Sequence, residues 1–162
     1  MSVESVRDYL KKFNADGKVI EMDDSCATVG LAASTLGVEE ARIAKTMSFL
    51  IDGEVILIVT AGDTKIDNGK YKREFKSKAK MVPFEETENL TGHAAGGVCP
   101  FAVKAGVKIY LDHSLKRFTT VFPAAGSHNG IIELTLAELE EFSQADGWID
   151  VAKMAEPSLQ PV

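Results

Sequence analysis

Apolar residues recur at Val3, Val6, Leu10 and Phe13, the spacing of one buried helix face, with Ser2 placed to cap its start and Gly17 to end it. Residues 18–22 read as a short strand. Thr28 can cap a second helix that runs to Leu36 and stops at Gly37. Residues 42–51 and 54–61 flank Asp52-Gly53, a pair that favours a two-residue hairpin. The second arm holds the run Val55-Ile-Leu-Ile-Val59, apolar on both faces, which suits a central strand.

Further along, residues 68–76 read as a basic helix, 80–82 as a strand and 85–90 as a helix. The glycine-rich stretch 91–101 must end in a loop. Strands follow at 107–111, 119–124 and 131–134, and Thr135-Leu-Ala-Glu138 is a capping box opening a helix to Phe142. There is no repeat and no linker, so the pattern predicts one domain over 1–162. Strands and helices mix without strict alternation, which predicts an α+β fold with a mixed sheet rather than a doubly wound parallel one.

Composition adds little to this picture: 162 residues, 45% hydrophobic and 26% charged, are ordinary for a globular domain. Charge adds more. The net charge of −6 argues against a general nucleic-acid binder such as a DNA-binding protein. Yet residues 64–80 hold seven bases (Lys65, Lys70, Lys72, Arg73, Lys76, Lys78, Lys80) against two acids, while 133–156 hold seven acids against one base. One end can meet phosphates while the other stays in solvent, although a charge run is most often only a solvated face. The start of the chain has no secretory pattern, and the longest apolar run is too short to cross a bilayer. Cytoplasmic residence, with Cys26 and Cys99 as free thiols and no membrane partner, is the expectation.

The chemistry-bearing residues are few. His93, His113 and His128 show no ligand spacing with each other or with the cysteines, so neither a metal nor another cofactor is expected. There is no nucleophile elbow, Walker loop or dinucleotide fingerprint. Cys99 could serve as a thiol nucleophile, but a small buried thiol is the commoner fate. Lys45, in Ile43-Ala-Lys-Thr-Met-Ser-Phe-Leu-Ile51, falls on the strand face of Met47, Phe49 and Ile51. It is either a snorkelling strand-end residue or a cation aimed into a pocket. The loop Gly92-His-Ala-Ala-Gly-Gly-Val-Cys-Pro-Phe101 can bring backbone N–H groups close to a ligand, or can be a plain surface turn.

Ile43-Ala-Lys45-Thr, Gly92-His93, Gly96-Gly-Val-Cys-Pro-Phe101, Asp112-His-Ser-Leu115 and Ala125-Gly126 together resemble the YbaK family, also called the prolyl-tRNA-synthetase-associated editing domain. The likeness spans nearly the whole chain and is nearest to the free-standing, EbsC-like members. It implies a mixed, curved β-sheet flanked by helices and deacylation of mischarged aminoacyl-tRNA. The family's lysine maps onto Lys45. The substrate loop maps onto Gly96, Gly97, Val98, Cys99, Pro100 and Phe101, with His93 and Gly126 beside it. The resemblance also implies that a ribose hydroxyl of the substrate, rather than a side-chain nucleophile, helps activate water. One departure stands out: where such proteins often have Ser-Ala-Gly, this chain has Ala124-Ala125-Gly126, and Cys99 stands where serine is common. His128 can supply a replacement polar contact or be a turn residue.

The leading expectation is therefore a trans-acting hydrolase with Lys45 stabilising negative charge. Aminoacyl-tRNA would be its partner, held by Lys65, Lys70, Lys72 and Arg73, with an aminoacyl-tRNA synthetase as a second partner. The alternatives are a degenerate binding module of the same fold and a hydrolase of some small ester or amide.

Overall fold

The computed structural model describes residues 3–155. Ser2, expected as the first cap, lies outside them. Helix α1 (Val3–Leu10) buries Val3, Val6 and Leu10, as their spacing requires. It does not run on to Gly17. A 3₁₀ turn (Lys11–Phe13) follows and ends at Asn14, whose φ of 57° takes the left-handed cap that glycine usually fills. Helix α2 (Val29–Leu36) begins and ends as the sequence predicts. The Thr28 hydroxyl accepts the Leu31 N–H, and Gly37 closes the helix at φ 70°.

The central element is a hairpin, β2 (Ile43–Ile51) and β3 (Glu54–Ala61), paired antiparallel from Ala44 opposite Ala61 to Ile51 opposite Glu54. Its turn residues Asp52 and Gly53 have φ of 49° and 81°, the double positive φ of a two-residue hairpin turn. Around it stand β5 (Lys108–Asp112), β6 (Thr120–Pro123), β8 (Leu134–Thr135) and β9 (Gly147–Ile149), in the order β8-β6-β2-β3-β5-β9. The β6–β2, β3–β5 and β5–β9 pairs are parallel and the other two antiparallel, so the sheet is mixed, and it curls into a half-barrel. Strand β3 is interior, as its apolar run demands. Two small antiparallel pairs complete the fold: β1 (Val19–Glu21) with β7 (Gly130–Ile132), and β4 (Thr64–Ile66) with β10 (Ala152–Met154).

Residues directly opposite in the hairpin share a face. Leu57, Val59 and Ala61 join Ala44 on the side covered by α1 and by α5 (Leu136–Ser143). Ile56 and Ile58 join Phe49 on the side covered by α3 (Asn68–Phe75), where Phe49, Tyr71, Phe75 and Tyr110 form a chain of rings 4.8–5.5 Å apart. The segment expected as a strand at 80–82 is a single bridge, Met81 opposite Phe49. The helix expected at 85–90 begins as a 3₁₀ turn and becomes α4 (Thr87–Thr91). No helix among the described residues is long and apolar enough to cross a membrane.

Candidate functional site

The outer edge of β2 is paired at its two ends and open between them. At one end Ile43 and Ala44 lie beside Phe122 and Pro123 of β6. At the other, Val82 N–H donates to the Ser48 carbonyl at 3.0 Å and Leu50 N–H donates to the Lys80 carbonyl at 2.8 Å. Backbone groups on a strand alternate in direction. Since Ser48 and Leu50 turn theirs away from β3, Thr46 does too, into the gap. That gap is one wall of a cleft of about 340 Å³. Thr28 and Ala32 enter it from the start of α2, Gly96 and Val98 from the glycine loop, Ala124 from the end of β6, and Met81 and Phe84 from the far side. Lys45, Thr46 and Ser48 supply the strand side.

Lys45 is half-buried, and its ammonium donates to the Thr64 carbonyl. Burial lowers its pKa, and the nearby Asp63 carboxylate opposes that shift. Asp63 is itself held well below the usual carboxylate range by Arg117, whose Nη1 and Nη2 donate to its two oxygens at 2.9 and 2.6 Å. The lysine is therefore a fixed cation at the mouth of the strand gap, with two N–H donors left over from the Thr64 contact.

The glycine loop divides its residues between cleft and core. Gly96, at φ 91°, and Val98 line the cleft. A Cβ on Gly97 would stand 2.9 Å from the Ser127 Cα, so this glycine lets the loop lie directly on the turn that carries Gly126 (φ 94°). Cys99 and Phe101 have no exposed surface and belong to the main core, and Pro100 is buried. His93 is buried as well, its Nε2 2.6 Å from the Phe101 carbonyl oxygen and 3.5 Å from the Cys99 sulfur. Burial pushes the Cys99 thiol up to about 12, which keeps it protonated and inert. His93, Cys99, Pro100 and Phe101 thus shape the loop from beneath, and none of them lines the cleft. His128 is exposed outside the cleft, its carbonyl accepting the Cys26 N–H.

The basic residues stand on and beside α3. Lys65 lies on β4 opposite Lys153, and Lys72 and Arg73 are exposed. Lys70 is already engaged, with its ammonium 3.0 Å from Asp150 and 2.9 Å from the Ala152 carbonyl. Among the described residues no group of three or more His, Cys, Asp or Glu could hold a metal ion. Sequence reasoning missed Thr28, Thr46, Ser48, Met81, Phe84 and Asp63. Only Phe84 carried a local signal, a large apolar residue directly after a proline and before three acids within four positions.

The site is thus a cleft at the open stretch of β2 in a small α+β domain, with one half-buried lysine on its wall and a buried, protonated cysteine beneath its loop. The aminoacyl-tRNA editing domain family matches residues 23–142, and the chain belongs to that family. It is 53% identical over 154 residues to the uncharacterized protein YwhH of Bacillus subtilis (strain 168), covering 94% of this chain and 98% of that one. It is 23% identical to a proline–tRNA ligase of Lysinibacillus sphaericus (strain C3-41), a match that takes in 99% of this chain but only 26% of the ligase. A solved structure described as a candidate trans-editing enzyme for prolyl-tRNA synthetase superposes with a TM-score of 0.84 at 28% identity, covering 93% of this chain and 96% of that one.

Proposed function

We propose that this chain hydrolyses the ester bond of mischarged aminoacyl-tRNA, in the cytoplasm and acting in trans. The observation that carries the proposal is that Lys45, the one ammonium lining the cleft among the described residues, stands at the open stretch of β2 and shares that cleft with Gly96 of the glycine loop. Ester hydrolysis places negative charge on the carbonyl oxygen, next to a terminal nucleotide that is already an anion. A cation fixed in a partly dry cleft stabilises that charge without reorganising. The backbone of Thr46 and Gly96 offers hydrogen bonds to the aminoacyl end. Water is activated with help from a ribose hydroxyl of the substrate, as the family resemblance implies. This is consistent with a site whose cysteine is protonated and out of reach. Lys65, Lys72 and Arg73 meet the tRNA backbone, with Lys70 joining if it leaves Asp150. An aminoacyl-tRNA synthetase is the partner that would benefit from such an activity.

A deacylation screen against a panel of mischarged tRNAs tests this. Loss of the aminoacyl group from at least one of them, abolished in Lys45→Ala, is the expected result. A second reading, a binding module that retains tRNA without cleaving it, is favoured by Ala124, which lines the cleft where relatives often carry a serine hydroxyl. Binding of mischarged tRNA with no turnover across the panel would select that reading.

A further inference from the structure

Lys45 is placed by residues outside the cleft. Its ammonium donates to the carbonyl of Thr64, a buried residue whose hydroxyl in turn donates to the Ala61 carbonyl at 2.7 Å. The turn that delivers this carbonyl, Gly62-Asp63, is packed so closely that a Cβ on Gly62 would come within 2.1 Å of the Glu40 carbonyl oxygen. Arg117 then grips the same turn from the 3₁₀ segment His113–Arg117. It donates to both Asp63 oxygens, and its Nε donates to the Ser114 carbonyl at 2.9 Å. Ser114 ties that segment back to β3 by accepting the Ala61 N–H at 3.1 Å. A planar guanidinium that reaches both carboxylate oxygens fixes orientation as well as distance.

We propose that Asp63 and Arg117 are positioning residues for Lys45: their fork locks the Gly62–Thr64 turn, so that one ammonium proton is spent on the Thr64 carbonyl and the other two are held for the substrate. This deepens the proposed function and rests on it only where activity is the readout. The two residues act on Lys45 in opposite electrostatic senses. Asp63 is the charged group that acts directly on Lys45. Arg117 neutralises Asp63, and Glu39 in turn acts on Arg117. Removing the carboxylate takes away the charge that holds the Lys45 pKa up and lowers it further. Removing the guanidinium leaves it facing a bare carboxylate and must raise its pKa. These shifts report the charge link between the fork and Lys45, and the loss of plateau rate with partial recovery in Arg117→Lys reports the positioning.

The experiment is an NMR titration of the Lys45 side chain by its ¹³Cε shift in the full-length protein, with Lys45→Arg used to identify the signal, alongside single-turnover deacylation as a function of pH. In Asp63→Asn the Lys45 titration is expected to move down, and the alkaline fall in rate with it. In Arg117→Ala the titration is expected to move up. In both the plateau rate drops, by up to about 10²-fold for a reacting group displaced by an ångström, while Arg117→Lys, which keeps the charge but not the fork, recovers part of the loss. Unmoved Lys45 titrations in both folded variants, or shifts of the same sign, overturn the proposal. An inactive wild type whose variants still shift in opposite directions contradicts the deacylase reading and leaves the positioning network standing.

Discussion

His93 has one ring nitrogen matched and the other bare. Nε2 lies against the Phe101 carbonyl and so carries the proton, while Nδ1 is buried with no hydrogen-bond partner. Protonating Nδ1 would set a charge and an unmatched N–H in the core, which is costly. Burial accordingly holds the imidazole below its ordinary 6.5, with the Phe101 carbonyl opposing the shift. The unfolded chain takes up this proton near 6.5 and the folded chain does not. Stability is therefore full above that value and falls as the pH drops through it toward the lower folded pKa. Urea midpoints should decline from about pH 7.5 to about pH 5.5, and His93→Gln, which cannot titrate, should show a flatter profile over the same window. A wild-type midpoint that rises on acidification would mean that the ring is charged in the folded state. The same burial puts His93 and Cys99 in the core, although the family resemblance placed them in and beside the substrate loop. Residue type marks chemistry, but whether a side chain faces cleft or core depends on which way each loop residue turns.

Among elements, the loop 96–101 is the one on which the site depends. Gly97 is needed for close approach rather than for an unusual φ: its missing side chain lets the loop rest on the Ser127 backbone. Gly97→Ala should push the loop off the turn at 124–130, costing about 1–3 kcal/mol by overpacking and displacing Gly96 and Val98 from the cleft wall. A thermal melt together with a deacylation rate checks this. Retention of both at wild-type values would show that the turn yields to the methyl group at no cost. The elements themselves were largely legible. The hairpin, α2 and the capping box of α5 carry local signals, and the structure has all three. Elements without such signals were missed. Strands β4, β9 and β10 have three residues each, too few for alternation to show. The 3₁₀ turn that follows α1 ends at Asn14 because a left-handed asparagine serves where glycine was expected. The cleft was invisible for a related reason. It exists because β6 pairs with only two residues of β2 before diverging, a fact about register between distant segments.

For the molecule as a whole, the asymmetry of charge is the feature that bears on the proposed tRNA binding. Neutralising Lys72 and Arg73 together should lower tRNA affinity and flatten its dependence on salt, each lost phosphate contact removing about 0.7 to 0.9 units of log–log slope. Lys70→Ala should change the slope less, because that ammonium is already shared between Asp150 and the Ala152 carbonyl. Equal slopes for wild type and the double variant would reduce the basic stretch to a solvated face. Here too the sequence showed the accumulation of charge along residues 64–80 but not its distribution, since the partner of Lys70 lies 80 residues away.

The proposed hydrolysis turns on one ammonium group. Lys45 is half-buried, its pKa is lowered by burial, and it touches protein only through the Thr64 carbonyl among the hydrogen bonds described. Such a group contributes little to folding and much to any anionic transition state formed beside it. The decisive measurement is single-turnover hydrolysis of a mischarged aminoacyl-tRNA by Lys45→Ala, with a thermal melt of the same preparation. A rate lower by about 10²–10³-fold, roughly 2.7–4 kcal/mol, is expected, with the melting temperature unchanged or slightly raised. A folded Lys45→Ala protein that hydrolyses the ester at the wild-type rate would contradict the proposed role of Lys45.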